Sequence, residues 1–193
     1  MNKLLFFSSN QGKIKEINKL FSNLSISVYS PKNFNFSSLP KENGSSFAEN
    51  AKIKSLFGYT NLGMPCFADD SGISIEALGW KPNIFSNRFI KKFKNDEECL
   101  KYICKEVKSS GKTSAYFKTS ICLTLKKNYH IVFEGKIEGK ISKELRGMNG
   151  FGYDPIFIPD GYFKTFSEIK RNEKNKISHR SIAVNKLINF LSN

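Results

Sequence analysis

Long apolar runs are absent from this 193-residue sequence. The apolar stretch at residues 4–7 is far too short for a signal-peptide core or a membrane span, and polar residues follow it directly. Cys-x-x-Cys spacing is also missing. The cysteines stand among apolar neighbours, which predicts buried, reduced thiols at Cys66, Cys99, Cys104 and Cys122. We therefore expect a soluble cytoplasmic protein with no membrane contact.

Acidic residues are scarce: there are 17 Asp and Glu against 31 Lys and Arg, which gives a formal charge of +14. The excess is mostly lysine, scattered along the whole chain. A basic surface attracts nucleotides as well as nucleic acids, so charge alone leaves a nucleic-acid-binding module open as an alternative. The sequence has no recognition-helix motif, zinc spacing or RNP-type aromatic strand. We expect no dedicated nucleic-acid binding.

Apolar and aromatic residues are plentiful, at 39% and 13% of the chain, and they include 18 Phe. This composition predicts a packed, Phe-rich core rather than a disordered chain. A chain of this length can bury roughly 70% of its unfolded surface. Because no internal repeat or low-complexity linker interrupts it, residues 1–193 are predicted to form a single domain.

Hydrophobic periodicity predicts a mixture of strands and helices. Apolar runs and alternating patterns indicate strands at residues 3–7, 26–29, 65–69, 114–125, 129–141 and 155–158. Helical spacing indicates helices over residues 14–24, 46–61 and 96–107, and a last helix that begins after Ser178. The fold class is predicted as α/β, an elongated mixed β-sheet with flanking helices and two lobes around a central cleft.

The first strand and the first helix are joined by a polar segment. Its residues are Ser8, Ser9, Asn10, Gln11, Gly12 and Lys13. A turn into a helix N-terminus presents backbone N–H groups and a positive dipole end, where phosphate oxygens bind well. The longer Gly-x-x-x-x-Gly-Lys spacing is missing, so an ordinary turn before a helix remains an alternative interpretation.

The segment Asp69-Asp70-Ser71-Gly72 carries adjacent carboxylates. Neighbouring residues of a strand point to opposite faces, so both acids could enter one cleft only if the strand ended between them. We expect one of the two acids to carry the chemistry and its partner to cap the following turn. Mg²⁺ takes one or two carboxylates together with phosphate oxygens and waters, so Asp70 with Glu42 could hold it. A plain turn is the alternative interpretation.

Two further segments are candidates for substrate binding. Phe151 lies between Gly150 and Gly152, where it could act as a stacking platform or as a hydrophobic plug over a turn. His179 and Arg180 fall in the first turn of the last helix, where positive side chains oppose the helix dipole. That cost is offset if an anion or an electron-rich carbonyl binds there. A lysine-rich chain can also show basic helix starts by chance.

Taken together, these segments make essentially the whole chain resemble the inosine triphosphate pyrophosphatase family, which hydrolyses deaminated purine triphosphates to monophosphate and pyrophosphate. The motifs that carry the resemblance are Ser8-x-Asn10-x-Gly12-Lys13, Ser46-Phe47-x-Glu49-Asn50-Ala51, Ala68-Asp69-Asp70-Ser71-Gly72, Ser86-x-Arg88, residues 150–157 and residues 174–180. The sequence departs from the family pattern at Gly79-Trp80-Lys81-Pro82-Asn83, where small residues and a Gly after the Pro are more usual. Asn83 can adopt a positive φ, so this turn can survive.

The resemblance implies a role for each motif. Residues 8–13 would bind the triphosphate, Glu42 and Asp70 would hold Mg²⁺, and Asp70 would activate water. The implied substrate contacts are Ser71, Arg88, Phe151, Gly152, Tyr153, Asp154, Lys174, His179 and Arg180. Phe151 would stack on the purine, while His179 and Arg180 would contact its 6-oxo edge. The resemblance also implies a homodimer and a cleft that takes the nucleotide.

Overall fold

The structure, a computed structural model, describes residues 2–192. Its strands are β1 (Lys3–Phe6), β2 (Ser27–Tyr29), β3 (Cys66–Ile75), β4 (Lys81–Pro82), β5 (Ser114–Lys126), β6 (Tyr129–Ile141) and β7 (Phe157–Pro159). Its helices are α1 (Gln11–Phe21), α2 (Phe47–Leu62), α3 (Ser86–Ile90), α4 (Asp96–Ser110), α5 (Arg171–Ile177) and α6 (His179–Ser192). Within residues 2–192, no helix is both long and apolar enough to cross a membrane.

The strands form one mixed sheet, with the order β2-β1-β3-β5-β6-β7 and with β4 also paired to β3. β1 runs parallel to β2 and to β3, with Leu5 opposite Tyr29 on one side and Cys66 on the other. β4 and β7 run antiparallel to β3 and β6. Parallel pairs need crossover connections, which α1 and α2 supply. The predicted α/β class with a mixed sheet and flanking helices is therefore confirmed.

The chain divides into two compact units. The first comprises described residues within Met1–Asp70, Thr119–Gly135 and Arg180–Asn193, and the second comprises Ser71–Lys118 and Lys136–His179. β3, β5 and β6 each contribute residues to both units. The prediction of a single domain stays a prediction.

Each unit has a Phe-rich core of its own. In the first unit, the rings of Phe6 and Phe21 both stack on Phe67, with centroids 4.9 and 5.7 Å apart. In the second, Phe117 contacts Phe157 at 4.7 Å. Such pairs add about 0.5–1.5 kcal/mol each beyond the burial of their area. The predicted Phe-rich core is confirmed, and all four cysteines are buried with free thiols, as predicted.

One predicted strand boundary is wrong. β3 does not end at Asp69 but continues through the Asp69-Asp70-Ser71-Gly72 segment to Ile75. Ile73 and Ile75 are fully buried, and their apolar pattern extends the strand beyond the acids. The segment is therefore neither a turn nor a strand end.

The Gly79-Trp80-Lys81-Pro82-Asn83 segment keeps its turn. Asn83 has a φ of 54°, as predicted, and Trp80 also has a positive φ, of 63°. Asn tolerates this region, whereas a bulky residue does so at a cost. The Trp80 ring stacks on Tyr116 with centroids 5.7 Å apart, and this contact offsets part of that cost.

Candidate active site

The polar segment after β1 is a capped helix start. Asn10 is the N-cap of α1, and its Oδ1 accepts a hydrogen bond from the Lys13 backbone N at 3.1 Å. The Asn10 backbone N in turn donates to Ser8 Oγ at 3.3 Å. The predicted strand and its turn into a helix N-terminus are therefore confirmed, but the helix begins at Gln11, three residues earlier than predicted, so residues 11–13 are helical. Phosphate binding at residues 8–13 stays a prediction.

Lys13 begins a buried charge network in the first unit. Its Nζ lies 2.8 Å from Asp69 Oδ2, and Arg180 Nε lies 3.3 Å from the same oxygen. Arg180 Nη1 also binds the Glu16 carboxylate. Lys13 and Glu16 are three residues apart on α1, so they share one helix face. Asp69, Glu16 and Arg180 are all less than a tenth exposed.

Neighbouring charges determine the ionisation states of Asp69 and Arg180. Burial opposes ionisation of Asp69, but the Lys13 ammonium and the Arg180 guanidinium hold the pKa of this carboxyl far below its usual range. Burial also works against the charge on Arg180, yet Glu16 and Asp69 raise the pKa of its guanidinium. Asp69 and Arg180 are therefore held in their charged forms, whereas burial lowers the pKa of the Lys13 ammonium, although the Asp69 carboxylate opposes that shift.

Asp70 belongs to a second cluster of the same unit. Its Oδ2 accepts a hydrogen bond from Asn50 Nδ2 at 3.0 Å, and its Oδ1 lies 3.4 Å from Lys54 Nζ. The same Nζ lies 3.2 Å from Glu42 Oε2. Asn50 and Lys54 are four residues apart on α2, so one helix face presents both to β3. Glu42 and Asp70, which are far apart in sequence, thus converge on one cationic group.

The pKa values of Asp70 and Lys54 are both raised, but for different reasons. Burial raises the pKa of Asp70, although the Lys54 and Lys13 ammonium groups and the Asn50 hydrogen bond oppose that shift. For Lys54, burial lowers the pKa, but the carboxylates of Asp70, Asp69 and Glu42 outweigh it and raise the pKa. Lys54 is therefore held as a cation beside the two carboxylates, and a metal ion bound by both would take the place of its ammonium group.

The pair Glu42 and Asp70 fits a divalent cation that prefers oxygen ligands. The Lys54 ammonium lies within 3.4 Å of both carboxylates, which shows that they can bind one positive charge. No three His, Cys, Asp or Glu side chains of residues 2–192 group into a metal site. Two carboxylates suit Mg²⁺, which completes its octahedral shell with waters and substrate phosphates instead of an all-protein cage.

The second unit holds the Phe151 segment. Lys174 Nζ donates to Asp154 Oδ2 at 2.7 Å and lies 5.1 Å from the centre of the Phe151 ring. The same carboxylate accepts from the Phe151 backbone N at 2.9 Å. Gly150, at a φ of 84°, leaves room for it, since a Cβ there would collide with Asp154. Asp154 and Lys174 are buried, whereas Phe151 is 37% exposed. The ring therefore has an exposed part that a base could contact, and its role as a stacking platform stays a prediction.

The other predicted substrate contacts of this unit differ in burial and in the groups that they touch. Tyr153 is buried and its hydroxyl donates to the Ser86 carbonyl at 2.7 Å, so it ties the Phe151 segment to α3. The His179 ring stacks on Phe117 with centroids 4.6 Å apart and planes at 7°. Arg88 is exposed, with its guanidinium 4.4 Å above the Phe85 ring. Ser71 lies on β3 and Gly152 in the Phe151 turn.

The predicted site residues thus fall into the two units. The first unit brings together Lys13, Glu42, Asp70 and Arg180, and the second unit brings together Phe151, Asp154 and Lys174. Three participants were missed: Glu16, Lys54 and the amide of Asn50. A charged or amide residue on the buried stripe of a helix was the available signal, because such a group needs a partner.

Comparison with known proteins gives concordant matches over the full length. A sequence profile of the Ham1 family matches residues 4–190. A dITP/XTP pyrophosphatase of Christiangramia forsetii is 39% identical over 190 residues, which cover 98% of this chain and 99% of the relative. One from Aquifex aeolicus is 36% identical, covering 99% of this chain and 97% of the relative.

Solved structures of Ham1 proteins superimpose on the whole chain. A HAM1 protein from Coxiella burnetii superimposes with a TM-score of 0.89 at 35% identity, covering 100% of this chain and 99% of that one. The Ham1 protein of Staphylococcus aureus superimposes with a TM-score of 0.85 at 32% identity, covering 99% and 98% of the two chains.

Proposed function

Because this chain belongs to the Ham1 family, we propose that it hydrolyses deaminated purine nucleoside triphosphates such as ITP, dITP and XTP to the monophosphate and pyrophosphate. Full-length relatives named dITP/XTP pyrophosphatase support this activity. The observation that carries the chemistry is the convergence of Glu42 and Asp70 on one cationic position. The activity would keep these nucleotides out of DNA and RNA precursor pools.

Residues of the first unit would carry the reaction at phosphorus. The Asp70 carboxylate would take the proton of a water that attacks the α-phosphorus, and pyrophosphate would leave. The backbone N–H groups at the start of α1 and the Lys13 ammonium would hold phosphate oxygens and offset their developing charge. A Mg²⁺ bound by Glu42 and Asp70 would neutralise phosphate charge and polarise the water. Positioning and electrostatics would supply most of the rate.

Base selection would follow from hydrogen-bond chemistry. Phe151 would stack on the purine, and donors from His179 and Arg180 would bind its O6. Adenine carries an exocyclic amine at that position, so donor would meet donor and buried polar groups would lack partners. Guanine shares O6, so its additional 2-amino group would have to be excluded by pocket shape or by an unmatched donor.

The family resemblance also suggests the oligomeric state, the metal and the cellular compartment of the enzyme. We expect a homodimer that uses Mg²⁺, works in the cytoplasm and has no dedicated nucleic-acid site. The buried free thiols are consistent with a reducing compartment. The scattered lysines would contribute to attraction of polyanionic substrates rather than to a separate binding patch.

A substrate panel tests the proposal. Purified protein is incubated with Mg²⁺ and ITP, dITP, XTP, dATP, dGTP or dCTP, and released pyrophosphate is measured. We expect fast release from the first three and slow release from the others. Comparable rates on dATP would remove the proposed selectivity. No release from any of them, with binding to DNA instead, would favour the nucleic-acid alternative.

A further inference from the structure

Asn50 is an amide with no solvent exposure in the first unit, and its two ends bind two separate parts of the site. Nδ2 donates to Asp70 Oδ2 at 3.0 Å, and Oδ1 accepts from the Gly44 backbone N at 2.9 Å. Asp70 lies on β3, whereas Gly44 is only two residues beyond Glu42 in the segment before α2. One side chain therefore joins the two carboxylate-bearing segments.

The partners fix which way the amide faces. A backbone N–H can only donate, and an ionised carboxylate can only accept, so the Asn50 oxygen must face Gly44 and its nitrogen must face Asp70. Asparagine offers an acceptor and a donor on one rigid plane. An ionised aspartate could accept from Gly44 but could not donate to Asp70, and a leucine could do neither.

The Gly44 end requires close approach. A Cβ at Gly44 would lie 2.8 Å from Asn50 Oδ1 and 2.7 Å from Glu49 Cβ, so a larger residue would displace the segment. The next residue is held in the same way, because the Ser45 backbone N donates to Glu49 Oε2 at 2.7 Å. Two consecutive backbone N–H groups are thus bound by two consecutive side chains of the first turn of α2.

The consequence is a defined position for both acids. With Oδ2 bound to Asn50, Asp70 presents Oδ1 to the point occupied by Lys54 Nζ, at 3.4 Å. With the Gly44 N–H bound to the same amide, Glu42 Oε2 lies 3.2 Å from the same Lys54 Nζ. We propose that Asn50 is a positioning residue that sets Asp70 and the Glu42 segment for joint binding of the divalent cation. This inference rests on the proposed function, in which these two carboxylates hold the metal.

Mn²⁺ binding measures this role apart from catalysis. Mn²⁺ accepts the same oxygen ligands as Mg²⁺, and its paramagnetic signal falls when it binds to protein. The variant Asn50→Leu keeps the side-chain size and removes both hydrogen bonds. The matched control is Asn61→Leu, the same exchange on α2 at an exposed residue whose Nδ2 binds only the Phe57 carbonyl of its own helix among the contacts seen in residues 2–192.

We expect Asn50→Leu to weaken Mn²⁺ binding and to lower kcat on dITP, each by about 10- to 100-fold, as for other groups that orient metal ligands. Asn61→Leu should match the wild type in both. A residue with a purely structural role would lower the melting temperature but leave the Mn²⁺ affinity of the folded protein unchanged. Mn²⁺ affinity and kcat within about twofold of wild type would overturn the inference.

A second variant keeps the test informative if Asn50→Leu does not fold. Gly44→Ala keeps the Asn50 and Asp70 side chains but disturbs the contact between Gly44 and Asn50, because the added Cβ would lie 2.8 Å from Asn50 Oδ1. It should also weaken Mn²⁺ binding. Unchanged Mn²⁺ binding in Gly44→Ala would contradict the role of Asn50 at this segment.

Asp70→Asn separates the inference from the proposed function. If Asp70→Asn binds Mn²⁺ and turns over dITP like the wild type, the assignment of Asp70 fails and the role of Asn50 fails with it. If Asp70→Asn is inactive while folded Asn50→Leu behaves like the wild type, only the inference about Asn50 is overturned.

Discussion

Asp69 and Asp70 are consecutive residues of β3, yet each carboxylate is bound to a different set of cations. Asp69 lies 2.8 Å from Lys13 and 3.3 Å from Arg180, and Asp70 lies 3.4 Å from Lys54. Adjacent strand residues point to opposite faces, which explains the separation. Because the strand continues past both residues, Asp69 lies in the ion network with Lys13 and Arg180, whereas Asp70 lies beside Lys54 and Glu42.

This division predicts opposite phenotypes for two matched substitutions. Asp70→Asn should lower kcat by about 100-fold or more, because the proposed base is lost, while unfolding should be nearly unchanged. Asp69→Asn should instead lower the free energy of unfolding by about 3–5 kcal/mol, because it leaves buried cations without their partner. Urea unfolding and dITP kinetics of both variants check this. Equal losses of stability in the two would contradict it.

Metal binding should depend on pH through Asp70. Burial raises the pKa of this carboxyl, although Lys54 and Lys13 oppose the shift. A proton and a metal ion compete for the same oxygens, so affinity is full above the pKa and is lost as pH falls through it. The loss should therefore begin above the ordinary carboxyl pKa of about 4.

Mn²⁺ titrations from neutral to mildly acidic pH measure this loss. Asp70→Asn provides the control, because it should bind weakly at every pH and lack this titration. If the wild-type protein kept the same Mn²⁺ affinity down to about pH 4, the pKa of Asp70 would not be raised.

Phe151 should contribute to substrate binding rather than to stability. Stacking of a base on an aromatic side chain is worth about 1–3 kcal/mol, so Phe151→Ala should raise KM for dITP by roughly 5- to 150-fold. Phe163→Ala is the matched control in the same unit, since that ring is 87% exposed. Steady-state kinetics of both variants give the result. Similar KM values in both would leave Phe151 as a plug over its turn.

Arg180 should matter for both stability and selectivity. Arg180→Ala removes the cation between Glu16 and Asp69, so we expect a loss of about 3–5 kcal/mol in the free energy of unfolding. In the protein that remains folded at low temperature, the ratio of kcat/KM for dITP over dATP should fall. A retained ratio, with stability reduced, would assign Arg180 to the ion network alone.

Much of the fold was predictable because its signals are local. The alternating pattern of β5 and β6 and the capping residue of α2, Ser46, all lie within a few residues of the feature that they specify. The site depended on distant partners. Glu16 binds Arg180 across 164 positions, and Asn50 binds Asp70 across 20, so no local pattern pairs them. The wrong end of β3 had a different origin: its polar middle resembles a turn, although the nearby buried Ile73 and Ile75 continue the apolar pattern of the strand.

The position of bond cleavage shows directly which phosphorus the water attacks. dITP is hydrolysed with Mg²⁺ in water labelled with heavy oxygen, and the products are weighed by mass spectrometry. We expect dIMP that carries the label, together with unlabelled pyrophosphate, and we expect Asp70→Asn to form this labelled dIMP about 100-fold more slowly or slower still. Labelled pyrophosphate, or release of single phosphates, would contradict attack on the α-phosphorus and with it the proposed reaction.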